Sequence, residues 1–258
     1  MNFPEMVNKG LVIIPTYNEA ENIILMLKSI TSLDERFDVL VIDDNSPDKT
    51  GMIVSEFIEK NGFNTELAPN RIYLRTRDGK QGLGTAYIMG FRFALEHSYD
   101  FIFEMDADFS HNPNDLVQLY NACLYDGFDL AIGSRYISGV NVVNWPIGRV
   151  LLSYFASAYV KFITGMPISD ATAGFKCYRR EVLETIDFDT IKFAGYAFQI
   201  EMKFIAWKYG FRIKEVPIIF TERRSGVSKM SAGIIKEAVW GVISMKIGSL
   251  FRRFRKTN

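Results

Sequence analysis

Asp106 and Asp108 are the residues of this sequence best suited to chemistry, because two carboxylates stand two positions apart. They end the strand-like run 101–105, and side chains two apart on an extended chain point to the same side. Carboxylate oxygens suit Mg²⁺ or Mn²⁺, which neutralise the charge on a diphosphate leaving group. The pair therefore predicts a hard-cation site, although an isolated Asp-x-Asp is more often a solvated turn.

Further acidic residues follow two other predicted strands and strengthen that interpretation. Asp43 and Asp44 follow the apolar run 39–42, and Glu19 stands at the predicted opening of the first helix. Like charges gathered at one edge need a cation or hydrogen-bond donors. Two alternatives stay open, since Asp44 could bond a base or ribose and Glu19 could be only a helix-dipole cap.

Basic residues that could grip phosphates lie beyond the acidic positions. Arg135 follows the fifth apolar run, while Arg223 and Lys229 flank a Gly-containing segment that is typical of a flexible loop. Such cations can clamp a diphosphate, although basic loops are more often solvated. Arg149 and Ser153 are one helical turn apart, where a lipid phosphate could sit.

Five short apolar runs must position these residues. They occupy 11–14, 39–42, 72–74, 101–105 and 130–132, and stretches with helical spacing separate them. That alternation predicts an α/β fold with a mainly parallel central sheet flanked by helices. Ligands of such sheets bind at the carboxyl ends of the strands, where the polar residues stand. Helix starts are expected at Asn18, Ser46 and Asn112.

Two amphipathic segments lie outside the alternating pattern. In 147–164 polar positions recur every four residues, and 234–250 leads into a basic tail with Arg252, Arg253, Arg255 and Lys256. Neither matches the roughly 20 apolar residues of a membrane span, so both are predicted to lie on a membrane surface. The alternative is that one or both cap the core. The predicted domains are a catalytic domain at 1–230, which includes 147–164, and a C-terminal amphipathic helix and tail at 231–258.

Composition indicates a folded chain in a reducing compartment. Of the 258 residues, 48% are hydrophobic and 23% charged, which excludes a disordered or fibrous protein. Cys123 and Cys177 form no CxxC pair, so neither a disulfide framework nor a thiolate zinc site is indicated. The N-terminus lacks the layout of a secretory signal, so a cytoplasmic location is expected. His97 and His111 show no metal or triad spacing and are interpreted as surface or structural residues.

Five motifs together resemble those of the family 2 inverting glycosyltransferases, and within them the dolichol-phosphate (polyprenol-phosphate) mannose synthases of the short type without transmembrane helices. The motifs are Pro15-Thr16-Tyr17-Asn18-Glu19, Asp43-Asp44-Asn45-Ser46-Pro47-Asp48, Met105-Asp106-Ala107-Asp108, Gly133-Ser134-Arg135-Tyr136 and Arg223-x-x-Gly226-x-Ser228-Lys229. The resemblance covers nearly the whole chain. It implies a nucleotide-diphospho-sugar transferase fold of the GT-A type.

The resemblance also assigns roles to single residues. The donor would be held by Pro15, Tyr17, Glu19, Ile42, Asp44, Asp106, Ala107, Asp108, Arg223 and Lys229. The metal would be held by Asp106 and Asp108, and Ser110 stands where some relatives carry a glutamine ligand. The acceptor phosphate would be bound by Arg135, Arg149 and Ser153. The catalytic residues would be Asp106, Asp108 and Arg135.

The activity that the resemblance implies is transfer of a hexose, mannose from GDP-mannose, to a polyprenyl or dolichyl phosphate with inversion. Mg²⁺ or Mn²⁺ would be the cofactor, and the enzyme would bind peripherally to the cytoplasmic face of a membrane, with no nucleic acid partner. A lipid monophosphate is already largely ionised near neutral pH, so no strong general base is required. Two alternatives stay open: a polyprenyl-phosphate glucosyl- or N-acetylhexosaminyltransferase that uses a UDP-sugar, and an inactive nucleotide-binding membrane scaffold.

Overall fold

The computed structural model describes residues 8–61, 71–222 and 232–255, with side chains of the last helix described from 239 onward. Its strands are β1 (Gly10–Thr16), β2 (Phe37–Asp43), β3 (Ile72–Thr76), β4 (Phe101–Glu104), β5 (Leu130–Ser134), β6 (Val142–Val143), β7 (Lys176–Arg179), β8 (Ile213–Pro217) and β9 (Phe220–Thr221). Its helices are α1 (Ile23–Leu33), α2 (Thr50–Lys60), α3 (Leu83–Glu96), α4 (Asp115–Leu124), α5 (Ile147–Thr164), α6 (Arg180–Thr185), α7 (Tyr196–Lys208) and α8 (Ala232–Phe251). A 3₁₀ turn spans Phe188–Thr190.

The central sheet has seven strands in the order β3-β2-β1-β4-β7-β5-β8. All neighbouring strands are parallel except β7, which runs antiparallel to both β4 and β5. The predicted parallel α/β sheet is therefore confirmed, and the five apolar runs form β1 to β5. The strand β7 was not predicted, because its four residues, Lys-Cys-Tyr-Arg, contain no apolar run.

Two apolar layers cover the two faces of this sheet. Along β1, Leu11 and Ile13 point into one layer, whereas Val12 and Ile14 point into the other. This alternation follows from the two-residue period of a strand, and burial on both faces explains the continuous apolar runs 11–14 of β1 and 39–42 of β2. The strand ends are thereby held rigidly by the core.

The predicted helix starts were early in three cases. The helices α1, α2 and α4 begin at Ile23, Thr50 and Asp115, several residues after the predicted caps. The intervening residues form turns instead: Asp48 accepts hydrogen bonds from the backbone N–H groups of Thr50 and Ala20, 3.0 Å each. These bonds tie the loop after β1 to the loop after β2.

The two amphipathic segments are helices that pack on each other at one side of the domain. The Tyr159 hydroxyl of α5 donates to the Val239 carbonyl of α8, and Lys246 Nζ of α8 donates to the Thr164 carbonyl that ends α5 (both 3.0 Å). Val160 and Val242 are buried in the core. Each helix therefore covers the core with one face. Within the described ranges, no helix is long and apolar enough to cross a membrane.

We expect Gly90→Ala to destabilise the fold. A Cβ at Gly90 of α3 would lie 2.6 Å from Ile13 Cγ2 of β1. The helix could therefore stay this close to the strand only with a steric clash. Such overpacking costs about 1–3 kcal/mol, measurable by urea unfolding. Gly248→Ala in α8 is the matched control, because a Cβ there meets no atom within 4 Å. Unchanged stability in Gly90→Ala would show that α3 can move away from β1.

Candidate active site

Three loops at the carboxyl ends of β1, β2 and β4 each contain a non-glycine residue with left-handed backbone. Asn18 has φ 61°, Asn45 has φ 53° and Phe109 has φ 59°. Such conformations are uncommon for side chains larger than glycine, and they persist where the surrounding structure fixes them. They stand directly beside the carboxylates Glu19, Asp44 and Asp108 of the predicted site, so these carboxylates sit on fixed loops.

Asp43 and Asp44 have different partners although they are adjacent. Asp43 is buried and accepts hydrogen bonds from the hydroxyls of Thr16 and Ser46, at 2.8 and 2.6 Å. Asp44 Oδ1 instead accepts a hydrogen bond from Arg77 Nε at 2.6 Å and lies 2.5 Å from Arg77 Nη2. Asp43 thus shapes the loop, while Asp44 stands at the site as half of an ion pair.

The predicted donor side also contains two basic residues that the sequence analysis missed. Besides Arg77, Lys80 lies with its ammonium 3.6 Å from the centre of the Tyr17 ring. Both come from the segment between β3 and α3, which follows the third strand just as the acidic motifs follow theirs. That position is the signal that could have identified them, because residues after every parallel strand face the same edge.

The remaining predicted donor residues differ in accessibility. Pro15 and Tyr17 are partly exposed, and the Glu19 carboxylate accepts a hydrogen bond from Asn22 Nδ2 at 3.1 Å. Ile42 and Ala107 are buried among apolar residues of the core. Arg223 and Lys229 lie outside the described residues.

Asp106 and Asp108 stand after β4 in two environments. The Asp106 side chain is 44% exposed, whereas Asp108 is buried and accepts the Ser110 N–H at 3.0 Å. Within the described part of the chain, the Ser110 hydroxyl oxygen is buried without a hydrogen-bond partner. Two carboxylates and an unsatisfied hydroxyl oxygen form a donor set that fits a hard divalent cation. No group of three or more His, Cys, Asp and Glu side chains with metal-binding geometry occurs among the residues described.

His111 is buried beside the carboxylate loop, so the structure agrees with its interpretation as a structural residue and excludes a surface position. Its ring lies 4.9 Å from Phe175 and 5.2 Å from Phe220, and its Nδ1 stands 4.0 Å from Asp106 Oδ2. Burial lowers the pKa of His111 to about 4. The negative charge of Asp108 acts to raise this pKa, but the positive charge of Arg135 acts to lower it. The imidazole is therefore neutral near pH 7.

Arg135 is held in place by Asp170, a residue that the sequence analysis did not single out. Arg135 Nε and Nη2 donate to the two Asp170 oxygens at 2.7 and 2.6 Å, and Nη2 also donates to the Thr172 hydroxyl at 2.8 Å. Burial by itself would raise the pKa of Asp170. The positive charge of Arg135 and its hydrogen bonds outweigh burial and hold that pKa below its usual value. The guanidinium fork of Arg135 is thus engaged within the protein.

Arg149 and Ser153 occupy the first turns of α5, as predicted. Arg149 Nη1 donates to both carboxylate oxygens of Glu222, at 2.6 and 2.8 Å, and the guanidinium carbon lies 4.0 Å from the centre of a Trp145 ring. Ser153 lies beside the Tyr136 phenol, and burial raises the pKa of that phenol. Both predicted acceptor residues therefore face the region around Arg135 and Trp145.

Buried polar atoms without hydrogen-bond partners concentrate in this region. Seven such side-chain atoms occur in the described ranges, and five belong to Ser110, His111, Tyr136, Trp145 and Arg149. Aromatic contacts at Phe220 connect the set, since His111 and Trp145 both pack on that ring. Each unsatisfied buried group costs about 1–3 kcal/mol, so ordered water or a polar ligand that satisfied several of them would stabilise this region.

A second polar layer lies directly beneath the Asp106 loop. Lys176 Nζ contacts Glu104 at 3.0 Å and also bonds Gln199, and Tyr178 donates to Glu104 at 2.8 Å. All four side chains are buried. Burial lowers the pKa of Lys176, while Glu104 opposes that shift. This network joins β4 to β7 and α7 below the loop that carries the carboxylate pair.

Comparison with known proteins places the chain in a family. Residues 11–187 match the family described as glycosyl transferase family 2. The chain is a family 2 glycosyltransferase. The matched segment begins in β1 and ends after α6, so it includes the carboxylate pair, Arg135 and Arg149.

Curated relatives of this glycosyltransferase match it over most of its length. It is 45% identical, over 96% of its chain and 90% of the relative, to a polyprenol monophosphomannose synthase of Mycolicibacterium smegmatis. It is 44% identical, over 90% of its chain and 93% of the relative, to an undecaprenyl-phosphate mannosyltransferase of Micrococcus luteus.

Solved structures share the fold of the glycosyltransferase. A glucosyl-3-phosphoglycerate synthase from Mycobacterium tuberculosis in complex with phosphoglyceric acid matches with a TM-score of 0.68 at 16% identity, over 92% of this chain and 80% of that one. The same enzyme with Mn²⁺, uridine diphosphate and glucosyl-3-phosphoglycerate matches with a TM-score of 0.66 at 17% identity, over 95% and 81%. The predicted GT-A-like fold is confirmed.

Replacing Asp170 with Asn should destabilise the glycosyltransferase by about 3–5 kcal/mol near neutral pH, because Arg135 would remain buried without its partner. Since the pKa of Asp170 is lowered on folding, its contribution is present above the ordinary aspartate value of about 4 and is lost as the pH falls below it. Urea unfolding should therefore show a smaller difference between wild type and variant at about pH 3 than at pH 7.

The control for this variant is Asp126→Asn, which breaks an exposed pair with Lys214 of similar length, 2.6 Å. That variant should lose less than about 1 kcal/mol. A difference for Asp170→Asn that is equally large at both pH values would contradict the ion-pair explanation.

Proposed function

We propose that this glycosyltransferase transfers mannose from a nucleoside-diphosphate mannose to a polyprenyl phosphate. Support comes first from the names of relatives that are 44–45% identical over at least nine-tenths of this chain. The observation that carries the proposal is that the site has two sides. One side is the carboxylate pair of Asp106 and Asp108. The other contains three buried donor atoms without hydrogen-bond partners among the described residues, which are Tyr136 Oη, Trp145 Nε1 and Arg149 Nε. One side suits a cation and diphosphate, and the other suits a phosphate acceptor.

The donor side would contain the residues that the sequence analysis assigned to it. Asp44 with Arg77, and Tyr17 with Lys80, would frame the nucleotide. Pro15, Glu19, Ile42 and Ala107 would complete the donor pocket from the same loops, with Arg223 and Lys229 near the diphosphate. Asp106, Asp108 and the Ser110 hydroxyl would hold Mg²⁺ or Mn²⁺, which when bound neutralises charge on the diphosphate.

The reaction would be a single displacement. An oxygen of the lipid phosphate forms the new bond to the anomeric carbon while the bond to the diphosphate oxygen breaks, and the electron pair leaves with the nucleoside diphosphate. Arg149 and Ser153 would position the phosphate, and Arg135 would add positive charge near it. An ionised phosphate needs no proton removed, so no strong general base is required.

A donor comparison tests the proposed function. The purified protein, given polyprenyl phosphate and Mg²⁺ or Mn²⁺, should form lipid-linked mannose from GDP-mannose and should turn over UDP-glucose far more slowly. Preference for UDP-glucose or a UDP-N-acetylhexosamine would replace the mannosyl assignment by the first alternative. Absence of any lipid-linked sugar from the whole panel would favour the inactive nucleotide-binding scaffold.

Asp108→Ala should abolish transfer while the protein stays folded. Asp108 lies in the loop after β4, and its hydrogen bond is local, to the Ser110 N–H at 3.0 Å. Its loss therefore affects charge at the site more than packing of the sheet. Asp126→Ala, at an exposed aspartate paired with Lys214, is the control and should retain turnover. Wild-type turnover that survives a chelator, or near-normal turnover of Asp108→Ala, would remove the metal role.

We further propose that α5 and α8 dock on the cytoplasmic face of a membrane. Large apolar side chains are exposed on both helices, including Phe162 at 86% and Phe251 at 85%, and Arg252, Arg253 and Arg255 follow α8. Apolar burial and basic attraction each anchor only partly, so the two should act together, and the basic part should fade with salt. Lys256 lies outside the described residues.

Changing the four basic tail residues to Gln should weaken binding to anionic vesicles by roughly 1 kcal/mol per charge near the surface. A flotation assay measures this, and binding of soluble donor should not change. The control changes four exposed basic residues elsewhere: Lys28, Lys60, Arg92 and Lys192. Equal vesicle binding by the tail variant and wild type would remove the tail's role, and no binding by wild type would favour core capping alone.

A further inference from the structure

The contact between Arg149 and Glu222 uses only one end of the guanidinium. Both Glu222 oxygens accept from Nη1, at 2.6 and 2.8 Å, rather than from the edge formed by Nε and Nη2. Nε is buried and has no hydrogen-bond partner in the described part of the protein. The pair therefore leaves unused the edge of Arg149 that carries the buried donor.

Trp145 packs against the same guanidinium. The guanidinium carbon of Arg149 lies 4.0 Å from the centre of a Trp145 ring, and the guanidinium carbon of Arg135 lies 5.5 Å from a Trp145 ring centre. The indole Nε1 is also buried without a partner among the described residues. One aromatic ring thus contacts both arginines that were assigned to the acceptor phosphate, and an unsatisfied N–H lies on that ring.

Glu222 itself is anchored by its backbone. Its N–H donates to the Val143 carbonyl at 3.0 Å, directly after the short β6–β9 pairing. The neighbouring Thr221 N–H donates to the Ser110 carbonyl at 3.1 Å, so the same segment also touches the loop that carries the carboxylate pair. The carboxylate therefore reaches Arg149 from a fixed backbone between the two sides of the site.

We propose that Glu222 is a positioning residue for the acceptor: it holds the Nη1 end of Arg149 against Trp145, so that the Nε–Nη2 edge is presented to the phosphate. The proposal rests on the proposed function, in which Arg149 binds that phosphate. An arginine edge with two parallel N–H groups matches a phosphate bidentately, and fixing its orientation in advance reduces the freedom lost on binding.

The opposite role for Glu222 would be that of an internal anion that occupies the phosphate position. A carboxylate acting as a substitute for phosphate would be expected on the bidentate edge, because that edge is the better site for either anion. Glu222 instead accepts both bonds from Nη1. The two roles predict opposite changes in acceptor affinity when Glu222 is removed.

The test measures the KM of the acceptor and of GDP-mannose separately for Glu222→Ala and Glu222→Gln in the full chain. Glu222→Ala should raise the acceptor KM about tenfold and leave the donor KM within about twofold, as expected when one oriented charged hydrogen bond is lost. Glu222→Gln keeps an oxygen acceptor for Nη1 and should restore most of the loss. Glu184→Ala, which breaks the surface pair with Arg180, is the control and should change neither constant.

A double variant separates positioning from a general structural role. If Glu222 acts through Arg149, then Glu222→Ala combined with Arg149→Ala should raise the acceptor KM no further than Arg149→Ala alone. Additive losses, or equal increases in both KM values, would overturn the proposal in favour of a structural role for the segment. A lower acceptor KM in Glu222→Ala would overturn it in favour of the competing anion.

Binding of farnesyl phosphate, a short isoprenyl monophosphate, by calorimetry gives a readout that does not depend on turnover. Glu222→Ala should weaken this binding about tenfold, and binding equal to wild type would overturn the proposal. If wild type neither binds farnesyl phosphate nor transfers sugar, the proposed function fails first. Failure of the positioning role alone would leave wild-type binding and transfer intact.

Discussion

Parallel strands that end at one edge of a sheet bring the residues after them together, and here three such strands are followed by carboxylates. The β1, β2 and β4 loops carry Glu19, Asp44 and Asp108 to the same edge. Like charges gathered at one edge raise the energy of the folded state unless each is compensated. The structure compensates them individually, and the form of compensation decides what each residue can do. Asp43 is satisfied by hydroxyl donors, while Asp44 is paired with Arg77.

The opposite side of the site uses the same rule with the charges reversed. Arg135 is buried and is neutralised by Asp170, and Arg149 is neutralised by Glu222 with its Nε unsatisfied. A buried cation without a partner would be strongly destabilising, so Arg135 stays buried only because Asp170 accompanies it. A ligand phosphate would thus meet cations that are already oriented. Under the proposed function, this arrangement would favour electrostatic positioning over proton transfer as the source of catalysis.

The sequence predicted the strands that carry the site and missed the pairs that hold it. Runs such as 11–14 and 39–42 are apolar throughout because both faces of those strands are buried, and this makes them visible. The strand β7 is short and contains a buried lysine, so nothing in its composition distinguishes it from a loop. The partners of Asp44, Arg135 and Arg149 lie 33, 35 and 73 positions away, and no local spacing connects them. The assigned site roles stay predictions.

In the proposed reaction, one displacement at this site joins mannose to a lipid phosphate, with no covalent sugar intermediate on the protein. The stereochemistry of the product distinguishes one displacement from two. Two-dimensional NMR of the lipid-linked product made from α-linked GDP-mannose should show the β anomer, because a single displacement inverts the anomeric carbon. An α-linked product would require two displacements or a different mechanism, and it would contradict the proposal that this site positions charges and supplies no nucleophile.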